Sequence, residues 1–372
     1  MCGIAGIFNC NYKFNREELK QSLIEMTDQV IHRGPDDYGY WISNDLRCGL
    51  GHRRLSIIDL SYNGKQPMKN DRYVITFNGE IYNYKDLKRE LQQLGVEFKT
   101  QTDTEVLLEA YTRWGKDCLI KFDGMFAFAI YDKQLKQLFL ARDAFGEKPL
   151  YYSYLNGSIV FGSELKQISG LPHFNSSTDA NLIAEYLCLQ YIDQDRTIYK
   201  NAYKLKPGHY IEFKSDAPKE QIQFFSFEPK DNEAAPVLID DLADELEDLL
   251  IKSLKRRLIA DVPLGAFLSG GVDSSLVVAL ITKKLNIPLK TFSIGFENSD
   301  KSEHMYARQM ASHFSTEHYE KLLPTNDLPE VSKIGSFIDD LNADTSLLPT
   351  YKLCEFAKKN VTVAISGDGA DE

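Results

Sequence analysis

The 372-residue chain lacks the features that place a protein in a membrane or outside the cell. No apolar run approaches the roughly 20 residues needed to span a bilayer. The first residues carry neither a basic leader nor the long apolar stretch of a signal peptide. Cysteine is sparse and scattered: Cys2, Cys10, Cys48, Cys118, Cys188 and Cys354 make no CxxC pair and no Cys/His cluster. That excludes a zinc site of ordinary spacing and fits a reducing compartment. Positive charge is in deficit, and a net charge of -11 argues against a nucleic-acid surface. These absences imply a cytoplasmic protein with neither nucleic acid nor membrane among its partners. What is present, 43% hydrophobic and 26% charged residues, is ordinary for a globular chain, and the length suggests two domains.

The first eight residues, Met-Cys-Gly-Ile-Ala-Gly-Ile-Phe, carry the sharpest chemical signal. A small residue at position 2 allows the initiator Met to be trimmed, which would leave Cys2 with a thiol and a free α-amine. An α-amine titrates near pH 8, so it can take the thiol's proton, and the thiolate is the attacking species. Nucleophile and base then come in one residue. Gly3 permits close approach, and Ile4, Ala5, Ile7 and Phe8 read as a buried strand that fixes the terminus. The plainer alternative is an apolar first strand with a chance cysteine.

Arg16 to Ile31 has the helical period and runs into the turn cluster His32-Arg33-Gly34-Pro35-Asp36-Asp37. Short strands are expected at Tyr38–Ser43, Cys48–His52, Leu55–Asp59 and Val74–Phe77. Helices follow at Asp86–Leu94 and Thr104–Trp114, the second capped by Thr102 or Asp103. Strands resume at Met125–Tyr131, Gln137–Ala141, Leu150–Tyr154 and Ile159–Gly162. The pattern is helices on two mostly antiparallel sheets, an α+β sandwich.

Three polar clusters interrupt it. Arg53-Arg54 offers a guanidinium fork for a carboxylate, or a solvated surface pair. Asn78-Gly79, before Glu80, is either a hairpin turn or an oxyanion hole built from a side-chain amide and a backbone N–H. Thr102-Asp103-Thr104-Glu105 is either a helix cap or an acidic wall for an ammonium group. Taken together they describe one substrate pocket. Arg54 would hold an α-carboxylate, Glu80 and Asp103 an α-ammonium, and Cys2 would attack a side-chain carbonyl stabilised by Asn78 and Gly79. Glutamine fits, hydrolysed through a γ-glutamyl thioester with release of ammonia.

Seven segments occur in order: MCGIAGIF, HRGPDD, GHRRLSIID, FNGEIYNY, TDTE, DGMFAFAIYD and FGEKPLYY. In this the chain resembles the class II glutamine amidotransferase domain of asparagine synthetases. The resemblance covers about residues 2–210, including Leu205-Lys206-Pro207-Gly208-His209. It implies the N-terminal-nucleophile hydrolase fold, catalytic roles for Cys2, Asn78 and Gly79, and glutamine contacts at Arg54, Ile57, Ile58, Glu80 and Asp103. Ala144 and Glu147 depart from relatives, which often have Arg and an apolar residue there; those positions read as structural.

Residues 211–236 are polar and Pro-punctuated, a linker by composition. Ile239 to Ile259 is a long amphipathic helix with a stripe of Leu242, Leu246, Leu249, Leu250 and Leu254. An apolar strand, Leu264–Leu268, then leads into Ser269-Gly270-Gly271-Val272-Asp273-Ser274-Ser275 and a helix from Leu276 to Lys284. A strand, a Gly/Ser loop and a helix N-terminus make an anion cradle. The loop has neither the Lys of a GxxxxGK phosphate loop nor GxGxxG. It resembles the pyrophosphate loop of the ATP pyrophosphatases, with Asp273 able to hold Mg²⁺ against the phosphates. Strands at Thr291–Phe296 and Val361–Ile365 complete a parallel α/β pattern whose loops gather at the carboxyl ends of strands. Resemblance to the asparagine synthetase family assigns Leu268, Ile294, Ser366 and Gly367 to adenine and ribose, and makes Asp371 a second Mg²⁺ ligand. Phe337–Tyr351, where the family builds its acceptor side, departs from the aspartate-using pattern.

The expected organisation is an amidotransferase domain over 2–210, a linker over 211–236 and an ATP pyrophosphatase domain over 237–372. The last strand has no covering helix after it, so that domain is expected to be truncated and its apolar surface exposed. The expected activity is glutamine-dependent, ATP-consuming amidation of aspartate through an acyl-adenylate. The runner-up acceptor is a uronic-acid sugar in surface polysaccharide synthesis. A reading of another class, a non-catalytic glutamine-binding homologue, is opposed by the intact Cys2 and SGGVDSS. A homodimer is the partner left open.

Overall fold

A computed structural model describes residues 1–9, 14–193, 195–214, 219–228, 239–297, 302–324 and 328–369. The chain divides into two compact units, Met1–Glu228 with Asp339–Ala343, and Pro229–Ile338 with Asp344–Glu372. The strip Asp339–Ala343, which the sequence places in the second domain, thus groups with the first unit.

In chain order the first unit has β1 (Gly3–Phe8), α1 (Arg16–Asp28), β2 (Asp37–Ile42), β3 (Cys48–Arg54), β4 (Met68–Lys69) and β5 (Tyr73–Ile81). Then come α2 (Tyr84–Gln93), α3 (Asp103–Trp114), β6 (Gly124–Asp132), β7 (Gln137–Arg142), β8 (Tyr151–Leu155), β9 (Ser158–Gly162) and the short α4 (Lys166–Ser169). It closes with α5 (Ala180–Leu189), β10 (Ala202–Lys204), β11 (His209–Phe213) and β12 (Ile222–Gln223). The strands make two six-stranded sheets, ordered β10-β8-β9-β1-β3-β2 and β12-β11-β7-β6-β5-β4. Every ladder in them is antiparallel.

Side-chain alternation explains the layers. Ile4 and Phe8 point into a core shared with Leu50, Ala129, Leu140 and Ile211, which come from both sheets. Ala5 and Ile7 point the other way, onto Leu19, Leu23 and Met26 of α1. Strand β1 is therefore buried on both faces, which is why its sequence is apolar without alternation. The start of α1 is fixed by a capping box between Asn15 and Glu18, and α3 by Thr102, whose hydroxyl accepts the Glu105 N–H.

Several expectations are corrected. Leu55–Asp59 forms a loop rather than a strand, because Arg54 captures its carbonyls (below). Strand β5 does not stop at Phe77: Asn78 and Gly79 pair with Ala127 and Phe126, so they are strand residues and not a hairpin turn. Residues 211–213 and 222–223, placed in the linker by composition, belong to β11 and β12.

The second unit holds α6 (Ile239–Arg257), β13 (Leu264–Phe267), α7 (Val272–Ala279), β14 (Lys290–Phe296), α8 (His304–Phe314) and β15 (Glu317–Leu323). It ends with α9 (Leu328–Gly335), α10 (Leu347–Ala357) and β16 (Val363–Ile365). Its sheet is parallel, ordered β15-β14-β13-β16. Helix α7 begins four residues before the expected Leu276, so the glycine loop feeds the helix directly. Of the α6 stripe only Leu254 is buried; Leu242, Leu246 and Leu249 are at least half exposed.

Gly6 shows how tightly β1 is held. A Cβ there would sit 2.2 Å from the fully buried Phe161 ring and 3.0 Å from the Gly49 carbonyl. Gly6→Ala is expected to lower the stability of the first unit by about 1–3 kcal/mol, the range for overpacked cores. The measurement is the urea midpoint at unchanged m-value; an unshifted midpoint would refute the packing argument.

Candidate active sites

A cleft in the first unit is lined by Cys2, Arg54, Ile57, Ile58, Asn78, Gly79, Glu80 and Asp103, every residue that the sequence assigned to one pocket there. It is also lined by Thr104 of the Thr102–Glu105 cluster, and by Met1, Gln66, Met125 and Lys148, which the sequence reading did not place.

Register brings the set together. Gly3 lies opposite Arg53, so one step further Cys2 lies beside Arg54 and Leu55. The Cys2 sulfur accepts the Leu55 N–H at 3.4 Å, and Arg33 Nε donates to the Cys2 carbonyl at 2.9 Å. Burial pushes the thiol pKa up, opposed by the Leu55 contact and the neighbouring amine. The Met1 α-amine lies inside the cleft, where burial lowers its pKa to about 6.

The Arg54 guanidinium donates to Ser61 O at 3.0 Å and to Asp59 O, with a longer reach of 3.4 Å to Ile58 O. It thereby curls the Ile57–Ser61 loop over the cleft while lining the cleft itself. The opposite wall is β5 and the start of α3. Gln66 ties them, accepting the Phe77 N–H at 2.7 Å and reaching Thr104 Oγ1 at 3.3 Å. Asp103 Oδ2 accepts the Ile81 N–H at 3.0 Å.

Two features of that wall are costly without a ligand. Asn78 is 1% exposed, and neither its Nδ2 nor its Oδ1 has a hydrogen-bond partner among the described residues. A buried amide left this way carries the full desolvation penalty. Glu80 and Asp103 are buried carboxyls. Burial, and then the Asp103 charge, lift Glu80 to about 7. Burial lifts Asp103 to about 6 against its backbone hydrogen bonds. Gly79 is required sterically, since a Cβ would sit 2.1 Å from the Met125 carbonyl.

Lys148 arrives on a loop organised by buried Asp143, which accepts the N–H groups of Phe126, Phe145, Glu147 and Lys148 at 2.9–3.1 Å. Ala144 and Glu147 lie in this loop. The FGEKP segment was the available signal for Lys148, but nothing local shows that its side chain turns inward. His52 is fully buried with both ring nitrogens unpartnered among the described residues. Burial holds its pKa down at about 3, so it is a neutral core residue.

The second unit has a larger cavity at the carboxyl ends of β13, β14 and β16. Leu268, Ser269, Gly271, Asp273, Ser274, Ile294, Ser366 and Gly367 line it; Gly270, Val272 and Ser275 do not. Gly270 instead packs on α8, where a Cβ would meet the Ala307 nitrogen at 2.5 Å. Val272 points to solvent at 81% exposure, and Ser275 is buried in α7. The loop closes on itself: Ser269 Oγ lies 2.9 Å from Ser274 Oγ and accepts the Gly271 N–H at 3.1 Å. No side chain caps α7, so its first N–H groups face the cavity ready for an anion. Phe267, Ser293, Phe296 and Glu303 are lining residues that the sequence reading missed; Pro349 belongs to the Phe337–Tyr351 stretch read as the acceptor side, and Asp368 to the loop after the last strand. Among the described residues no cluster of three or more His, Cys, Asp or Glu could hold a metal alone. Asp273 with Asp368 supplies the one or two carboxylates that Mg²⁺ uses when phosphates and water complete its shell. Asp371 lies outside the described residues. Among those residues no helix is long and apolar enough to cross a membrane.

The family described as glutamine amidotransferase domain matches residues 1–225, and that described as asparagine synthase matches 245–372. The whole chain is 38% identical to the glutamine-hydrolyzing asparagine synthetase 1 of Bacillus subtilis, spanning 58% of that relative's length. It is 38% identical to a putative glutamine-hydrolyzing asparagine synthetase 2 of Methanocaldococcus jannaschii, spanning 75% of it. A third relative, the Bacillus subtilis synthetase 3, is 33% identical, and the chain spans 62% of it. Matched in both halves and alike along its whole length, the chain belongs to the glutamine-hydrolysing asparagine synthetase family.

Proposed function

We propose that the first unit is an N-terminal-nucleophile glutaminase and the second an ATP pyrophosphatase-type site that uses the ammonia to amidate a carboxylate, with aspartate as the acceptor. What carries the reading is the Asn78 carboxamide, buried and unpartnered in the same cleft as Cys2. A protein tolerates such a group where a ligand or a transition state completes it.

With Met1 removed, the α-amine belongs to Cys2 and takes the thiol proton. The thiolate forms a C–S bond to the glutamine side-chain carbon, and the carbonyl oxygen gains its charge facing Asn78 Nδ2 and the Gly79 N–H. Collapse breaks the C–N bond as the α-ammonium returns a proton to the leaving ammonia. Water then cleaves the thioester to glutamate. Arg54 and Lys148 supply positive charge for the α-carboxylate, and Glu80 with Asp103 holds the α-ammonium.

In the second unit the glycine loop and the α7 N-terminus receive the phosphates of ATP. The acceptor carboxylate attacks the α-phosphorus and expels pyrophosphate, and ammonia displaces AMP from the acyl-adenylate. Asp273 and Asp368 would hold Mg²⁺, which neutralises phosphate charge. A panel of acceptor carboxylates including aspartate and uronic-acid sugars, read by pyrophosphate release in the full-length protein, decides the acceptor.

Cys2→Ala is expected to abolish glutamate release from glutamine, and Asn78→Ala to lower kcat on the order of 10²–10³-fold. Retention of Met1 is expected to be as harmful as Cys2→Ala. Parental glutamate release by a protein shown by mass spectrometry to keep Met1 would defeat the mechanism.

The raised carboxyls set a pH dependence. Glu80 and Asp103 are ionised only above about 7 and about 6, and only the ionised forms attract an ammonium group. Glutamine binding to the Cys2→Ala protein, followed by calorimetry, is expected to tighten as pH rises from about 5.5 to 8. Glu80→Gln should weaken binding and remove the upper part of that rise. Binding that weakens as pH rises would contradict the assignment.

A further inference from the structure

A row of alternating charges starts at the backbone of Cys2 and ends in a distant part of the sequence. Arg33 Nε donates to the Cys2 carbonyl at 2.9 Å, and Arg33 Nη1 donates to Glu164 Oε1 at 3.0 Å. The same carboxylate oxygen meets His32 Nε2 at 2.8 Å. The other oxygen, Oε2, lies 3.1 Å from Lys166 Nζ, which also reaches Asp339 Oδ1 at 3.1 Å. The Lys166 N–H donates to Asp339 Oδ2 at 3.0 Å, so Asp339 grips both backbone and side chain. Next to it, Asp340 pairs with Lys204 Nζ at 2.9 Å and accepts the Ile198 N–H at 3.0 Å.

These are not ordinary surface pairs. Arg33 and Glu164 are each 9% exposed, and the Lys166 and Asp339 side chains only 19% and 10%. Exposed pairs of this kind contribute little, but removing one partner from a desolvated row leaves its neighbour's charge unpaired. The row also ends on a functional group. The β1 ladder begins only at Gly3, so the Cys2 carbonyl is oriented by Arg33 rather than by sheet pairing. Glu164 is itself braced, its N–H donating to Gln167 Oε1 at 2.9 Å while Gln167 Nε2 donates to the Ile4 carbonyl at 3.1 Å. Charge transmitted along the row therefore bears on the rotation of the Cys2 backbone, and hence on where its thiol and amine point.

We propose that Lys166 and Asp339 are positioning residues for Cys2, and that the strip Asp339–Ala343 acts as a strap that sets the glutaminase rate by holding Glu164 against Arg33. The proposal rests on Cys2 being the glutaminase nucleophile. The strap is covalently continuous, through Asp344, with α10, whose Pro349, Thr350 and Leu353 line the second cavity. Its position in the chain makes it a natural element for tuning one chemistry to the state of the other.

The test measures kcat and KM for glutamate release in the intact chain. Asp339→Asn and Lys166→Met are expected to lower kcat about tenfold while KM for glutamine stays within about twofold, because Arg54, Glu80 and Asp103 are untouched. Lys166→Arg, which keeps the cation, should stay within about threefold of the parent. The double variant Lys166→Met/Asp339→Asn should be no slower than either single one, since both break the same row. Parental kcat in both single variants, losses that add in the double variant, or a change confined to KM would each overturn the proposal. If Asp339→Asn fails to unfold cooperatively, the double variant, which strands no lone charge at that pair, becomes the one measured, and parental kcat there is equally fatal. Cys2→Ala run in parallel separates the two claims: activity surviving without the thiol defeats the glutaminase reading, whereas an inactive Cys2→Ala beside a fully active Asp339→Asn defeats the strap alone.

Discussion

The pairing of β1 with β3 is the constraint on which the first site depends. Gly3 lies opposite Arg53 and Phe8 opposite Cys48, and both faces of β1 are buried. A slip of one residue would turn Ile4 and Phe8 out of the shared core, at a cost that fixes the register. With the register fixed, Cys2 can only fall beside Arg54 and Leu55. Hydrophobic packing several residues away thus sets where Cys2 falls along the strand, and Arg33 orients its carbonyl. The closeness of Gly6 to Phe161 tightens the same lock from the other neighbouring strand.

Against this rigid strand the cleft wall is kept energetically uncomfortable. An Asn78 amide with no partner among the described residues and two carboxyls with raised pKa values are each destabilising in the free protein. They are tolerated because the scaffold around them is over-determined. Gln66 ties β5 to α3, Asp143 gathers four backbone N–H groups, and Arg54 curls the loop beside the cleft. Each device spends a polar group on the backbone so that another can be left free for a ligand, which is how electrostatic preorganisation is built.

Local signals in the sequence foretold most of the strands, the Thr102 cap, the glycine loop and Cys2, Arg54, Asn78, Gly79, Glu80 and Asp103 of the first cleft, whereas Ile57 and Ile58 came only from the family resemblance. Its failures share a physical origin. Leu55–Asp59 has the composition of a strand, but Arg54, coming from the preceding strand, takes its carbonyls and curls it, with Asp59 at φ 53°. Asn78-Gly79 has the composition of a turn, but β6 supplies a partner on one side and the close Met125 carbonyl explains the glycine. The α6 stripe has helical periodicity, yet among the described residues most of it faces solvent, because periodicity states which face is apolar and not what covers it. The row from Arg33 to Asp339 was invisible for a simpler reason: its ion pairs join residues 131 and 173 positions apart.

The two cavities solve opposite electrostatic problems. The first is a cleft lined by side chains of both signs, Arg54 and Lys148 against Glu80 and Asp103, which suits the compact zwitterion proposed as its substrate. The second, proposed to take a larger anion, has no Lys or Arg in its described lining. Positive potential there comes from the uncapped start of α7 and the N–H groups of the glycine loop. A backbone cradle of that kind has a fixed, modest charge, and the nearby carboxylates Asp273 and Asp368 fit the proposal that a divalent cation accompanies the phosphates. By the same reasoning the first site is expected to be lost by substitution of a single side chain, while the second depends chiefly on backbone shape and on the glycines that permit it.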